Sequence, residues 1–196
     1  RTELYGRVSL DIAGDSLTNL DGSVDVELAR SFVDSVRIDT ARAVLRAHGG
    51  RVALDTAMAE SAIGSLGARG ALGLAEAIVD TLHAVVRVDS LGGWRSLLRL
   101  PRDVAGADTV AGRAELAARA IGSVRQLDVS VGMRGRDWKV GSLRARAVRA
   151  DVMVGGIGGD APVGRADLGA DTLDVAGVTF ANVGVSARMA SPSQGD

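Results

Sequence analysis

Apolar and polar residues exchange places at almost every step along most of this 196-residue chain, and that alternation limits its fold more than any other feature. Val8, Leu10 and Ile12 alternate with Arg7, Ser9 and Asp11; Val24, Val26 and Leu28 with Ser23, Asp25 and Glu27; Val36 and Ile38 with Ser35, Arg37 and Asp39. A strand turns successive side chains to opposite faces, so a period of two predicts a sheet with one aliphatic and one polar face. The pattern returns in Val52, Leu54, Thr56 and Met58, in Leu66, Ala68, Gly70, Leu72 and Leu74, and in Leu82, Ala84, Val86 and Val88. It resumes in Ala114, Leu116 and Ala118, in Leu127, Val129, Val131 and Met133, and in Val148, Ala150, Val152 and Val154. Leu168, Ala170 and Thr172, then Val178 and Phe180, then Val183, Val185, Ala187 and Met189 complete it. Runs of about ten residues make strands of about 33 Å. Short turns such as Gly49-Gly50, which supplies positive φ for a two-residue hairpin, favour one long antiparallel sheet.

One stretch leaves this pattern. Within residues 90–101 the apolar positions Leu91, Trp94, Leu97 and Leu98 follow helical spacing, with Ser90 placed to cap and Pro101 to stop, so a short helix is expected near 91–100. Trp94 is read as its anchor on the sheet. The chain then divides into a first β section, 1–101, a continuing section, 102–190, and a loose polar tail, 191–196. The tripeptide Asp-[Ser/Thr]-[Leu/Val] recurs at Asp15, Asp34, Asp80, Asp89, Asp108 and Asp171, too unevenly for a solenoid. Asp followed by Ser or Thr satisfies backbone donors in turns, so the repeat is expected to mark strand starts.

The side-chain supply agrees. Glu, Gln and Lys, the usual cover of helix faces, number 8 in all against 19 Asp, which argues against a mostly helical protein. The apolar share of 46% is carried by 31 Ala and 25 Val with only 5 aromatics. The absence of Cys excludes disulfide frameworks, thiolate metal sites and Cys nucleophiles, and fits an extracytoplasmic protein. A net charge of −1 gives no overall steering toward nucleic acid, phosphate or anionic lipid heads. The longest stretch without a charged side chain, Val175–Ala187, has 13 residues, short of the roughly 18 that suggest a membrane helix. The chain starts at Arg1 without a signal-type apolar segment and reads as an excised part of a longer protein.

Motifs that carry chemistry are weak. His48 sits beside the Gly49-Gly50 turn and His83 on the polar side of its strand, so no metal site is expected. Ser65 follows Gly64 but has Ile63 where a nucleophile elbow needs its first glycine. The run from Gly156 to Ala161 matches a dinucleotide fingerprint in form, but Pro162, Val163, Gly164 and Arg165 lead into another period-two run where the fingerprint needs a helix; a hairpin loop is expected. Lys139 follows Trp138 and opens no phosphate-binding motif. Most Asp residues lie at turns or on the polar side. No enzyme activity and no cofactor are expected.

Several segments resemble the periplasmic repeats of the TamB and AsmA-like proteins. They are residues 34–39, 64–74, 80–91 and 170–178, together with Gly122-Ser123-Val124-Arg125-Gln126-Leu127, which is similar to that family's Gly-x-[Leu/Val]-x-x-[Leu/Val] step. The resemblance spans most of the chain. It implies a sheet curled along its length into a half-pipe with one apolar face, standing in the periplasm in a protein anchored in the inner membrane. It also implies a part in outer-membrane biogenesis, through phospholipid transfer along the groove or assistance to outer-membrane protein assembly. Contact with the assembly machinery would fall to regions outside this segment.

The expectation is therefore an all-β chain, a long antiparallel half-pipe with one short helix near 91–100. Its groove would be lined by Val8, Leu10, Ile12, Val24, Val26, Leu28, Val36, Ile38, Val52, Leu54, Leu72, Leu82, Val86, Val88, Leu116, Val129, Val131, Val152 and Val185. Acyl chains need only a continuous hydrocarbon wall, which this stripe offers. The partners expected are phospholipid acyl chains, held by their tails, with neither nucleic acid nor a transmembrane helix in this segment. The competing expectation is an extended β scaffold, or an assembly factor, whose stripe is sealed by a second layer.

Overall fold

A computed structural model of the chain describes residues 2–16, 19–33, 36–75, 77–93, 110–159 and 161–189. Nearly all of these lie in twelve strands: β1 (Gly6–Ala13), β2 (Asp21–Leu28), β3 (Ser31–Val33), β4 (Val36–His48), β5 (Arg51–Ser61) and β6 (Gly64–Gly73) come first. β7 (Asp80–Val88), β8 (Val110–Gly122), β9 (Leu127–Val140), β10 (Leu143–Ile157), β11 (Val163–Val175) and β12 (Val178–Met189) follow. They form one antiparallel sheet in which each strand pairs with its sequence neighbours, except that β3 and β2 share one edge of β4. β1 and β12 do not meet, so the all-β sheet is an open half-pipe and not a barrel. β7 and β8 pair from Asp80–Gly122 to Val88–Ala114, which joins the two expected sections in the same sheet. A helix opens at Leu91; Trp94 and the rest of its expected span, to residue 100, lie outside the described residues.

The turns follow their residues. His48 and Arg51 pair across Gly49 (φ 57°) and Gly50 (φ 73°), the two-residue hairpin the sequence calls for. β10 runs on to Ile157 and the chain re-enters a strand at Val163, so the glycine run from Gly156 leads into a strand and not a helix. The Asp-[Ser/Thr]-[Leu/Val] repeat is a poorer guide. Asp80 opens β7, but Asp171 lies inside β11, Asp89 precedes the helix and Asp15 sits in the loop after β1; Asp34 and Asp108 lie outside the described residues. Asp171 shows why: on the polar face it accepts a hydrogen bond from Arg149 at 2.6 Å, a role open to an aspartate anywhere along a strand.

Curl has local causes. On β6, Gly70 (φ 130°) takes a conformation closed to other residues, and a Cβ there would lie 2.2 Å from the Thr81 carbonyl oxygen of β7. Such glycine kinks bend a sheet. Past the start of β7, β6 and β8 touch directly: Gly73 bridges Ser123, and the Val124 amide donates to the Gly73 carbonyl at 2.8 Å. The fully buried side chains are few. Val36, Val88, Ala114, Ala145 and Val148 sit toward the Gly6 end of the sheet, Ala71 and Leu74 at the other. Two buried serines serve the backbone: Ser31 Oγ accepts from the Tyr5 amide at 3.0 Å and donates to the Ala29 carbonyl at 2.8 Å, stitching the break between β2 and β3. Ser123 Oγ accepts from the Arg125 and Gln126 amides at 3.3 Å each.

The accessible surface, 13,093 Å², is large for a chain of 20.0 kDa, since a compact monomer of that mass exposes about 8,700 Å². Among the described residues the sheet is a single layer with no second one over it, which leaves its faces open to water.

Candidate functional site

Cross-strand register assembles the aliphatic side chains into rows that run across the strands. One row passes Val8, Val26, Ala43, Ala57, Ala68, Ala84, Ala118, Val131, Val152, Ala166 and Ala187, without a polar residue from β1 to β12. At about 4.8 Å between neighbouring strands, its ten steps cover about 48 Å. The rows on either side are bulkier: one includes Leu10, Val24, Leu45, Leu54, Leu82 and Met189, the other Leu28, Leu66, Val86, Leu116, Met133 and Leu168. A track of small side chains thus lies between two ridges of longer ones.

All nineteen residues expected to line a groove share this face. Val36 and Ile38 stand at its Gly6 end, where with Val33, Ala59, Ile63, Leu66 and Val86 they line an apolar hollow of about 320 Å³. Two of the sheet's bulges move side chains off their expected side. Between Leu54 and Ala57 the β5 register shifts by one residue, so Thr56 and Met58, expected on the apolar side, lie on the polar face opposite Val44 and Arg42, and Ala57 and Ala59 take their places. At Asp137 (φ 54°) β9 departs again from simple alternation.

That second bulge supplies a residue the alternation misses. Continued from Leu127, Val129, Val131 and Met133, it would set Trp138 on the polar face, yet the Trp138 ring occupies the space where a Gly135 side chain would stand on the apolar face. A Cβ on Gly135 would lie 2.3 Å from Trp138 Nε1. The indole Nε1 donates to the Arg113 carbonyl at 2.9 Å, fixing the ring near buried Ala114, Ala145 and Val148. A tryptophan beside two glycine-bearing strand segments was the available signal.

The opposite face is held by charge pairs. Arg46 meets Asp55 at 3.1 Å, Arg42 meets Asp25 at 3.5 Å, and Arg149 meets Asp171 at 2.6 Å. Arg51 holds Asp80 through two nitrogens, at 2.6 and 2.7 Å, bridging β5 to β7 past the end of β6. Hydrogen bonds from Arg165 first, then Ser186 (Oγ to Oδ1, 2.7 Å), hold the Asp167 carboxyl below its ordinary pKa, and the same contact with Asp167 raises Arg165. His48 Nδ1 lies 3.1 Å from Asp21, and His83 points to this face, opposite Arg69 and Arg119. Among the described residues, no three His, Asp or Glu side chains gather as a metal site and no helix is long and apolar enough to cross a membrane.

Comparison with models of protein families, with curated proteins and with solved structures finds no match for this chain.

Proposed function

We propose that this chain is a non-enzymatic section of a periplasmic, inner-membrane-anchored protein similar to the TamB and AsmA-like family, and that its apolar face shields phospholipid acyl chains passing between inner and outer membrane. The observation that carries the reading is the aliphatic face that runs unbroken from β1 to β12 with no second layer over it among the described residues. Val8 and Leu10 at one edge are 66% and 67% exposed, Val185 at the other 63%. Soluble proteins rarely leave contiguous apolar surface of more than a few hundred Å² without a ligand for it. Hydrocarbon tails take such a wall by area, without directional contacts, and the small-residue track between its ridges gives a tail room to lie across the strands.

The test uses a phospholipid carrying a photoreactive group in its acyl chain. Crosslinking to the purified chain should occur, and Leu10→Asp, Val26→Asp or Val86→Asp should reduce it strongly while far-UV circular dichroism stays that of a sheet. Ser23→Asp, on the polar face, should leave it unchanged. Leu10 is exposed, so its variant separates loss of binding from loss of fold. Undiminished labelling of the apolar-face variants, or a wild-type chain that binds neither lipid nor an apolar dye, would overturn the reading in favour of the sealed scaffold.

A further inference from the structure

The polar face carries a second candidate site. Arg87, Asp89, Arg113, Glu115, Arg134 and Arg136, from β7 to β9, surround a depression of about 400 Å³ near the Gly6 end. Four guanidinium groups face two carboxylates there, although the chain as a whole carries a net charge of −1. The near-neutral total conceals a local cationic excess that register concentrates in one place.

The pairing around it is sparse. At several points of the face register or reach gives an arginine a carboxylate, as in Arg42–Asp25, Arg46–Asp55 and Arg149–Asp171, whereas Arg69 and Arg119 stand opposite His83. Here Arg113 stands directly opposite Arg136, and Arg134 directly opposite Arg149, whose charge Asp171 already meets. Glu115, opposite Arg134 on the other side, is turned to Arg87 Nε at 3.3 Å. Arg113, Arg134 and Arg136 form no ion pair with a described carboxylate. Like charges directly opposite in a sheet are destabilising, so such a register persists at a cost unless an anion sits between them. Guanidinium forks match phosphate oxygens two by two and shed water readily.

We propose that this depression binds a phosphate monoester, with Arg113 and Arg136 as its principal ligands and Arg134 as a third. It lies on the face opposite the aliphatic rows and stands whether or not those rows carry acyl chains. Two sources share the chemistry, a free phosphate ester and a lipid headgroup at a membrane surface, and two probes separate them: glycerol 3-phosphate in solution, and phosphatidylcholine vesicles doped with phosphatidic acid.

The double variant Arg113→Gln/Arg136→Gln should weaken binding of whichever probe the wild type takes by at least about tenfold, while melting no lower than wild type, since a repulsion is removed. Arg42→Gln/Arg46→Gln removes the same charge from paired arginines of the same face and should leave binding within about twofold. Glycerol 3-phosphate binding assigns a free ester; binding to doped vesicles alone assigns the headgroup. Equal weakening by both double variants would reduce the effect to diffuse charge and overturn the site. So would no weakening by Arg113→Gln/Arg136→Gln, or no binding of either probe.

Discussion

The middle of the sheet and its edges use the same residues to different effect. Val88, Ala114 and Val148, on β7, β8 and β10, are 6 to 7% exposed, whereas Val8 on β1 and Val185 on β12 stand on the same face 66% and 63% exposed. A strand inside the sheet has aliphatic neighbours on both sides, and toward the Gly6 end Trp138 adds a cover that the edges lack. Alternation therefore chooses the face a side chain takes, while the number of neighbouring strands chooses how much water it loses. Full burial of a Val or Leu is worth about 1.5–3 kcal/mol, and at β1 and β12 that gain is left uncollected. Surface of this kind is where a hydrocarbon ligand has most to offer.

One matched pair of substitutions breaks the comparison if it is wrong. In Val88→Asp a carboxylate enters a site closed to water, opposite Gly64 and Ala114, and the chain should lose about 3 kcal/mol or more of unfolding free energy. Val8→Asp changes the same residue type on the same face at an exposed edge and should stay within about 0.5 kcal/mol. Urea unfolding followed by circular dichroism measures both. Comparable losses would mean that β1 is covered in solution, as in a sealed scaffold.

Between these extremes lies the Trp138 cover. Gly135→Ala forces the indole away, because the new methyl group would stand 2.3 Å from Nε1 and 2.6 Å from Cε2. The bond to the Arg113 carbonyl and the packing against its neighbours go with it, for a loss of about 2 kcal/mol. In a Trp94→Phe background, where Trp138 is the remaining tryptophan, the variant should show red-shifted emission and a lower urea midpoint. Unshifted emission would mean that the ring does not rest on Gly135.

The same region marks the limit of what the sequence makes legible. The strands and the shared face of most of the nineteen aliphatic residues follow from period two, because strict alternation leaves a side chain only one choice of side, and the Gly49-Gly50 turn follows from its glycines. Val36 and Ile38 join that face only through an extra residue, Asp39, between Ile38 and Thr40. Thr56, Met58 and Trp138 escape it, since a single inserted residue or one left-handed φ reverses the side, and neither Asp55 nor Asp137 declares a bulge by its identity. The arginine depression escapes for another reason. Arg113 and Arg136 are 23 positions apart, and only the β8–β9 register that runs from Gly122 opposite Leu127 sets them opposite each other; composition reports their charge already cancelled by distant aspartates.

The mildest test sharpens the contrast at the exposed β11–β12 edge, where charge and not burial organises the side chains. Arg165 and Ser186 hold the Asp167 carboxylate below its ordinary pKa. A carboxyl whose folded pKa is depressed adds stability above its unfolded pKa, and that contribution fades as pH falls through the folded value. Asp167 is solvent-exposed enough for salt to screen much of the effect. Side-chain carboxyl NMR titration should therefore find Asp167 ionised to lower pH than an ordinary aspartate. Arg165→Gln should return its midpoint most of the way to the ordinary value, and Ser186→Ala by a smaller step, because the guanidinium contact is the larger cause. The reverse order would place the dominant contact across the β11–β12 ladder, from Ser186, and would make this edge depend on strand pairing in the same way as the middle of the sheet.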